Sequence, residues 1–380
     1  MPAGKRLTVL QCLPALDEGG VERGTLEIAR ALAVDGHRSL VMSAGGRLVA
    51  QLEDEGSYHL TRDIGRKHPL VLAHVRPLRR LLMQERVDIL HVRSRLPAWI
   101  ARLAWRRLAA GHRPHFVTTV HGFYSIGRYS AVMTSGERVI AVSESIRDYI
   151  TDCYPAVDKS LIKVIHRGID DNYYRPDFAP CEKWLQSWHE RMPMLRARTV
   201  LTLAARLTRL KGHAQFIDLI SRLCTAGRPV HGLIVGGEDP RRSAYAGEIR
   251  AMAKGLPITF LGYRADLREI MSVSDFVLSL SSQPESFGRT VLEALALGTP
   301  AIGYDHGGVG EILRAIWPRG ALPVGDITAV YNRVMECVAR PPEIPRSHPF
   351  SLKSMQDSTL ALYRSLTLHE PSYMAQPGKF

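Results

Sequence analysis

Two glutamates eight positions apart, Glu285 and Glu293, sit in the stretch DFVLSLSSQPESFGRTVLEALALGTPAIGYDHGGVGEIL, from Asp275 to Leu313. The apolar run Asp275 to Leu280 reads as a strand and SSQPESFG as a turn-rich break. Arg289 to Leu297 has helical periodicity, and Pro300 to Tyr304 reads as the next strand. At a rise of about 1.5 Å per residue, Glu285 at the helix mouth and Glu293 in its body stand about 12 Å apart along the axis. Carboxylates at that spacing can hold opposite ends of an elongated polyhydroxy ligand. Between them Ser286, Phe287 and Gly288 open the helix, where free backbone N–H groups suit a phosphate or pyrophosphate. A ligand with hydroxyls at both ends and a diphosphate in the middle is a sugar nucleotide.

A lone glutamate is ordinarily a solvated charge. Here the pair shares one βαβ unit with a glycine-rich helix entry and a following Gly-Gly-x-Gly-Glu loop at Gly307 to Glu311. Upstream, the strand Thr199 to Ala204 runs into ARLTRLKG, which places Arg206 and Lys211 at a strand-to-helix junction. Two cations there can straddle a diphosphate. Surface solvation is the ordinary fate of an Arg–Lys pair, and position argues against it in this loop.

The elements that must position these groups are of α/β type. In the first half, strand patterns at Leu7 to Leu13, Ser39 to Ser43, Asp88 to Val92, His115 to Val120 and Arg138 to Val142 alternate with helical patterns at Val21 to Val34, Pro69 to Gln84 and Leu96 to Ala110. That alternation predicts a doubly wound α/β domain. Ligands in such sheets gather at the carboxyl ends of strands, where His91, Thr118 to Gly122 and Ser143 fall. The loop Pro14 to Gly20 leads into a helix, so Gly19 and Gly20 stand where backbone can approach a phosphate or sugar. The loop lacks the three-glycine dinucleotide pattern, which argues against a nicotinamide cofactor. Asp171 to Arg198, with three prolines and no clear period, reads as an interdomain connection. Further strands are expected at His231 to Val235 and Ile258 to Leu261, and a last helical pattern at Phe350 to Leu366.

These motifs closely resemble those of retaining glycosyltransferases of family 4, which have the GT-B fold, and the likeness runs from about Leu7 to Leu366. It is strongest in the second half. The Glu-x7-Glu region matches at Glu285 and Glu293, the Arg…Lys-Gly element at Arg206 and Lys211, the Gly-Gly loop at Gly19 and Gly20, and the His-Gly element at His121. VIAVSESIRDYI resembles the family's Ser-Glu turn. VIHRGID resembles its Asn-Gly-Ile-Asp motif, with His166 and Arg167 in place of the usual residues, so only the turn at Gly168 and Asp170 carries over. The resemblance implies two Rossmann-like doubly wound domains facing a central cleft, an acceptor domain over 1–175 and a donor domain over 176–349, with the 350–366 helix packing back on the first. It implies that Glu285 binds donor-sugar hydroxyls, that Glu293 binds the nucleotide ribose, and that His121 lies beside the donor sugar near the reacting carbon. His121, Glu285, Arg206 and Lys211 are therefore the expected catalytic set. Gly19, Gly20, Ser286, Phe287, Gly288 and Glu293 join the last three in binding the donor. No nucleophile is evident, which fits front-face attack with retention.

The 380 residues exceed one ordinary core and suggest two domains. Hydrophobic content of 45% and charged content of 23% are those of a soluble globular chain. No apolar run reaches the roughly 18 residues of a membrane span, and the N-terminal residues lack a signal-peptide layout, so a cytoplasmic location is expected. The five cysteines are scattered, without metal-ligand spacing, and are expected to be reduced. No Asp-x-Asp element lies on a suitable loop, so neither metal nor cofactor is expected.

Net charge is +13, and Arg62 to Arg138 holds fifteen Lys and Arg against four acidic residues, eleven of the thirteen excess charges. Such concentration points to an anionic partner. Arg95, Trp99, Arg102 and Arg106 follow at spacings of four, three and four and share one helical face. That face is expected to meet an anionic inner-membrane surface. The acceptor is expected to be phosphorylated or lipid-linked, the resemblance suggesting a lipopolysaccharide core or similar envelope glycolipid. Two other readings stand beside this one. A GT-B nucleotide-sugar epimerase would explain the donor residues but leaves the basic first domain idle. A nucleic-acid binder would use the charge, but the basic segment lacks an aromatic stacking pattern, a helix-turn-helix and a zinc signature.

Overall fold

A computed structural model describes residues 5–17, 19–238 and 243–368. Met1 to Gly4, and Glu18 inside the expected Pro14–Gly20 loop, lie outside the described residues. The chain divides into two units, one formed by the residues up to Arg167 with those from Leu352, the other by Gly168–Ser351.

In the first unit seven strands make one parallel sheet: β1 (Thr8–Cys12), β2 (Arg38–Ser43), β3 (Tyr58–Thr61), β4 (Ile89–Val92), β5 (His115–Val120), β6 (Arg138–Ala141) and β7 (Ile162–Val164), in the order β3-β2-β1-β4-β5-β6-β7. The central strands β4 and β5 are buried along their whole length, as expected of a parallel sheet covered on both faces by helices. One cover is the helix Gly20–Val34, whose Leu26, Ile28, Ala29 and Leu32 are buried at helical spacing. Beside it lies the final helix, Leu352–Thr367. Its Met355, Leu360, Tyr363 and Leu366 join Leu7, Val9, Ile28, Leu32, Ile89 and Val117 in one apolar cluster. The chain's end thus completes the core of the unit in which it began.

The second unit repeats the plan with six parallel strands: β8 (Thr199–Ala204), β9 (Val230–Val235), β10 (Ile258–Gly262), β11 (Phe276–Ser279), β12 (Ala301–Tyr304) and β13 (Ala321–Leu322), in the order β10-β9-β8-β11-β12-β13. In both sheets the winding reverses beside the first strand of the unit, between β1 and β4 and between β8 and β11. Loops leaving neighbouring strands at such a point diverge to opposite faces and leave room for a ligand.

The structure departs from the sequence reading in several elements, and the Gly307–Glu311 stretch read as a loop opens the helix Gly307–Ile316. Asp171 to Arg198, expected as a connection, belongs to the second unit and contains the helix Glu182–Arg191, on which the Trp184 and Trp188 rings stack at 5.0 Å. The short edge strands β3 and β7 have no strand pattern in the sequence, because both faces are partly solvated and neither alternates. Pro69 to Gln84 is two elements, a 3-10 turn Pro69–His74 and a helix Val75–Gln84. All five cysteines are free, and burial pushes the Cys12 thiol up to about 12.

Candidate active site

In the second unit, the adjacency of β8 and β11 brings together two loops far apart in sequence. Leaving β8, the chain passes Arg206, makes a 3-10 turn at Arg209–Lys211 and enters the helix His213–Thr225 through Gly212. Leaving β11, it passes Ser281 and Glu285 and enters the helix Arg289–Ala296 through Gly288. Ser282 donates its N–H to the Leu210 carbonyl at 2.9 Å, tying the loops at the backbone. Gly212 is left-handed, with φ of 75°, and a Cβ there would collide with the Leu280 carbonyl and lie 2.6 Å from the Leu280 Cβ. No other residue allows the loops so close.

At this junction Lys211 Nζ lies 2.9 Å from Glu285 Oε1, and the Ser281 hydroxyl donates to the same oxygen at 2.6 Å. Both charged side chains remain about one-quarter exposed, so the pair faces solvent. The Glu285 backbone is fixed from the other side, where Gly308 N–H donates to its carbonyl at 2.8 Å. A Cβ on Gly308 would lie 2.6 Å from the carbonyl carbon of Phe287. The Gly307–Gly308 pair is thus the notch that seats the Glu285 turn.

The helix begins at Arg289, so Glu285 stands in the preceding turn, and axial rise does not measure its distance from Glu293; the sequence estimate of about 12 Å assumed one helix through both. Gly288, with φ of 93°, caps the helix, and the first intrahelical bonds run from Val291 and Leu292 to its carbonyl. The N–H groups of Gly288, Arg289 and Thr290, ahead of those bonds, have no partner within the helix, which gives the mouth a positive end. Phe287 is buried beneath it. Glu293 is nearly buried and accepts from Arg289 Nε at 2.9 Å, an engagement the sequence reading did not include. Arg206 is exposed and has no side-chain partner among the described residues. This edge therefore holds a solvent-facing carboxylate, an ammonium, a free guanidinium and a helix mouth. Those groups can meet a diphosphate and its hydroxylated flanks.

The first unit carries a second polar group at the carboxyl ends of its strands. Gly19, with φ of 146°, precedes the helix Gly20–Val34, and a Cβ on Gly20 would meet open space. His91 is fully buried, sharing hydrogen bonds with the Tyr363 hydroxyl at 2.5 Å and the Thr119 hydroxyl at 2.6 Å. Burial, then the charges of Arg93 and Arg167, hold it well below the usual histidine range. Both of its ring nitrogens are occupied, which makes it a pin between strand and final helix. Arg93 is buried too, donating through Nε to Gln11 Oε1 at 2.8 Å, while the Gln11 amide donates to the Thr25 carbonyl at 3.2 Å. His121 accepts from Arg167 Nη2 at Nδ1, at 2.8 Å. Gln11, Arg93 and Tyr363 were not singled out from the sequence, and Arg167 was noted there only as a departure from the family motif; a buried arginine has no local signature.

Arg95, Trp99, Arg102 and Arg106 do lie on the helix Arg95–Arg106, but the expected free basic face needs correction. The Arg95 guanidinium stacks over Tyr124 at 4.9 Å and Tyr129 at 5.4 Å and donates to Ser125 and Ser130, and the Trp99 indole donates to the Tyr129 carbonyl at 2.9 Å. These two hold down the segment that follows β5. Arg102 is half-buried, its charge disfavoured by burial and by Arg106, and Arg106 is exposed.

Two Rossmann-like units of this kind, with cations and a helix mouth at the switch point of the second, have the architecture of the GT-B fold. The chain matches the family model Glycosyltransferase Family 4 over residues 18–173 and Glycosyl transferases group 1 over 193–336. A glycosyltransferase from Rickettsia africae superposes over 95% of this chain and 99% of its own, with TM-score 0.84 and 27% identity. HepE of Anabaena, solved with UDP-glucose, covers 95% of this chain and all of its own at TM-score 0.78 and 20% identity, a likeness of fold alone. N-acetyl-alpha-D-glucosaminyl L-malate synthase of Bacillus anthracis is 24% identical over 86% of each chain. The chain belongs to the GT-B glycosyltransferases of family 4.

Proposed function

We propose that the chain transfers a sugar from a nucleotide diphosphate sugar to an acceptor hydroxyl with retention at the anomeric carbon and without a metal. One observation carries this reading: Lys211, Glu285 and the open mouth of the Arg289–Ala296 helix converge at the carboxyl edge of one sheet. Arg206, Lys211 and the N–H groups after Gly288 meet the diphosphate and stabilise the charge that builds on it as the glycosidic bond breaks. Glu285, with Ser286 and Phe287 in the same turn, holds the sugar hydroxyls, and Glu293 the ribose. By resemblance, Gly19, Gly20 and His121 are assigned to donor binding as well. The UDP-glucose bound by HepE supports a donor of this class. Thermal stabilisation by a panel of GDP, UDP and ADP sugars tests it. A melting temperature that none of them raises would sink the reading, and an inverted product anomer would refute retention.

The acceptor on this reading is anionic. The resemblance suggests a phosphorylated envelope glycolipid such as a lipopolysaccharide core, whereas the name of the Bacillus anthracis relative points to L-malate, a small acid. What favours a lipid surface is the helix Val75–Gln84 and the turn before it. Arg76, Arg79 and Arg80 are exposed there beside Leu70 and Leu72, which are 73% and 57% exposed. Basic side chains flanking bare leucines suit an anionic membrane face. Arg102 and Arg106 add to it from the adjacent helix. No described helix is long and apolar enough to cross a membrane.

A further inference from the structure

The Arg167 guanidinium is held from three sides within the first unit. It lies against the backbone of the helix Gly20–Val34, where a Cβ built on Gly24 would collide with Nη1 and lie 2.5 Å from Cζ. Nη1 reaches Met355 Sδ of the final helix at 4.0 Å, and Nη2 reaches His121 Nδ1 at 2.8 Å. A guanidinium carries only donors, so Nδ1 must accept and the ring proton of a neutral His121 must sit on Nε2. That Nε2 is buried and has no partner among the described residues. A buried donor left without an acceptor is destabilising, and a ligand oxygen would satisfy it.

We propose that Arg167 is a positioning residue that locks His121 in the Nε2–H tautomer, aimed as a donor at a ligand oxygen, and that Gly24 is the notch that admits it. The ligand oxygen rests on the reading above, in which His121 lies beside the donor sugar; the tautomer does not. Around His121 stand Arg167, Arg93 and His91, and the Tyr124 hydroxyl accepts its backbone N–H at 3.2 Å. Burial first, then Arg167, Arg93 and His91, hold the imidazole well below the usual histidine range, so it stays neutral. Arg167 occupies a position at which the family motif has a different residue, so this device belongs to the present chain.

The test is long-range proton–nitrogen correlation NMR on protein labelled with 15N-histidine, the His121 signals being assigned by their loss in His121→Gln. In the native protein His121 is expected to show a bare Nδ1 and a protonated Nε2 from pH 8 down to about 5.5, one unit below the usual pKa near 6.5. Arg167→Met is expected to mix the tautomers and bring titration up toward that value. Gly24→Ala, a favourable change for a helix, displaces the guanidinium and is expected to act in the same direction. A native spectrum with the proton on Nδ1 would overturn the proposal without any variant. So would an Arg167→Met protein that melts normally and keeps the native His121 signals. The spectra need no substrate; a normal transfer rate in His121→Gln would instead overturn the reading that the ring faces sugar.

Discussion

Lys211 and Glu285 are ion-paired at 2.9 Å across the junction of two loops, although one was expected to meet a diphosphate and the other a sugar. In the free protein each is therefore the other's partner. On the proposed reading, donor binding exchanges that one contact for two.

Glu285→Gln keeps the side chain's shape but removes the charge that strengthens bonds to sugar hydroxyls. At about 1.5 to 3 kcal/mol per charge-assisted bond, sugar transfer is expected to fall roughly 10- to 150-fold. Affinity for the free nucleoside diphosphate, measured by calorimetry, should change far less. Equal losses would sink the assignment.

Arg206→Ala and Lys211→Ala should both raise the dissociation constant for the nucleoside diphosphate, by about tenfold or more. The two differ in their coupling. Arg206 has no side-chain partner among the described residues, so its effect should add to that of Glu285→Gln, whereas Lys211→Ala and Glu285→Gln share a contact and should combine non-additively by about 0.5 kcal/mol or more. A double-mutant cycle with no coupling for Lys211 would show that the pair does not persist in solution.

Gly212→Ala puts a methyl group against the Leu280 backbone in a left-handed conformation. Loss of more than about 1 kcal/mol in urea unfolding is expected, together with weaker nucleotide binding. Native stability in this variant would mean that the two loops are not locked as described.

His91 supplies a pH dependence with a definite sign. Its folded pKa is lowered, chiefly by burial, so the unfolded chain binds the proton more readily. Stability from the neutral imidazole is complete above about pH 6.5 and is lost as pH falls through and below that value, at up to about 1.4 kcal/mol per unit. Urea unfolding at pH 7.5, 6.5 and 5.5 should show that decline, and His91→Phe should make it shallower, the remainder coming from other buried histidines such as His121. An equal slope in the variant would remove His91 as the cause.

Vesicle co-sedimentation tests the lipid surface. Changing Arg76, Arg79 and Arg80 to Glu should abolish binding to anionic vesicles, each basic residue contributing about 1 kcal/mol, and Leu70→Asp with Leu72→Asp should weaken it. Changing Arg95 alone should have little effect, since its guanidinium is stacked on Tyr124 and Tyr129. Binding indifferent to lipid charge would refute the surface.

The sequence by itself determined most of the local elements and named the residues proposed to bind a sugar nucleotide. The buried strands β5 and β8 were legible to the residue, because a short run rich in β-branched and apolar residues, bounded by turn residues, is a local signal. Glu285, Gly288 and Glu293 were legible because the mouth of one helix orders them within nine residues of chain. What only the tertiary structure decided is which distant groups meet. The order β8-β11 sets Lys211 on Glu285, and the return of the final helix sets Tyr363 on His91. The absence of a side chain at Gly24 makes room for Arg167 beside His121. Periodicity records which face of an element avoids water but carries no address for the partner across it. Pairing is settled only when strand order, helix return and the space left by a glycine are satisfied together.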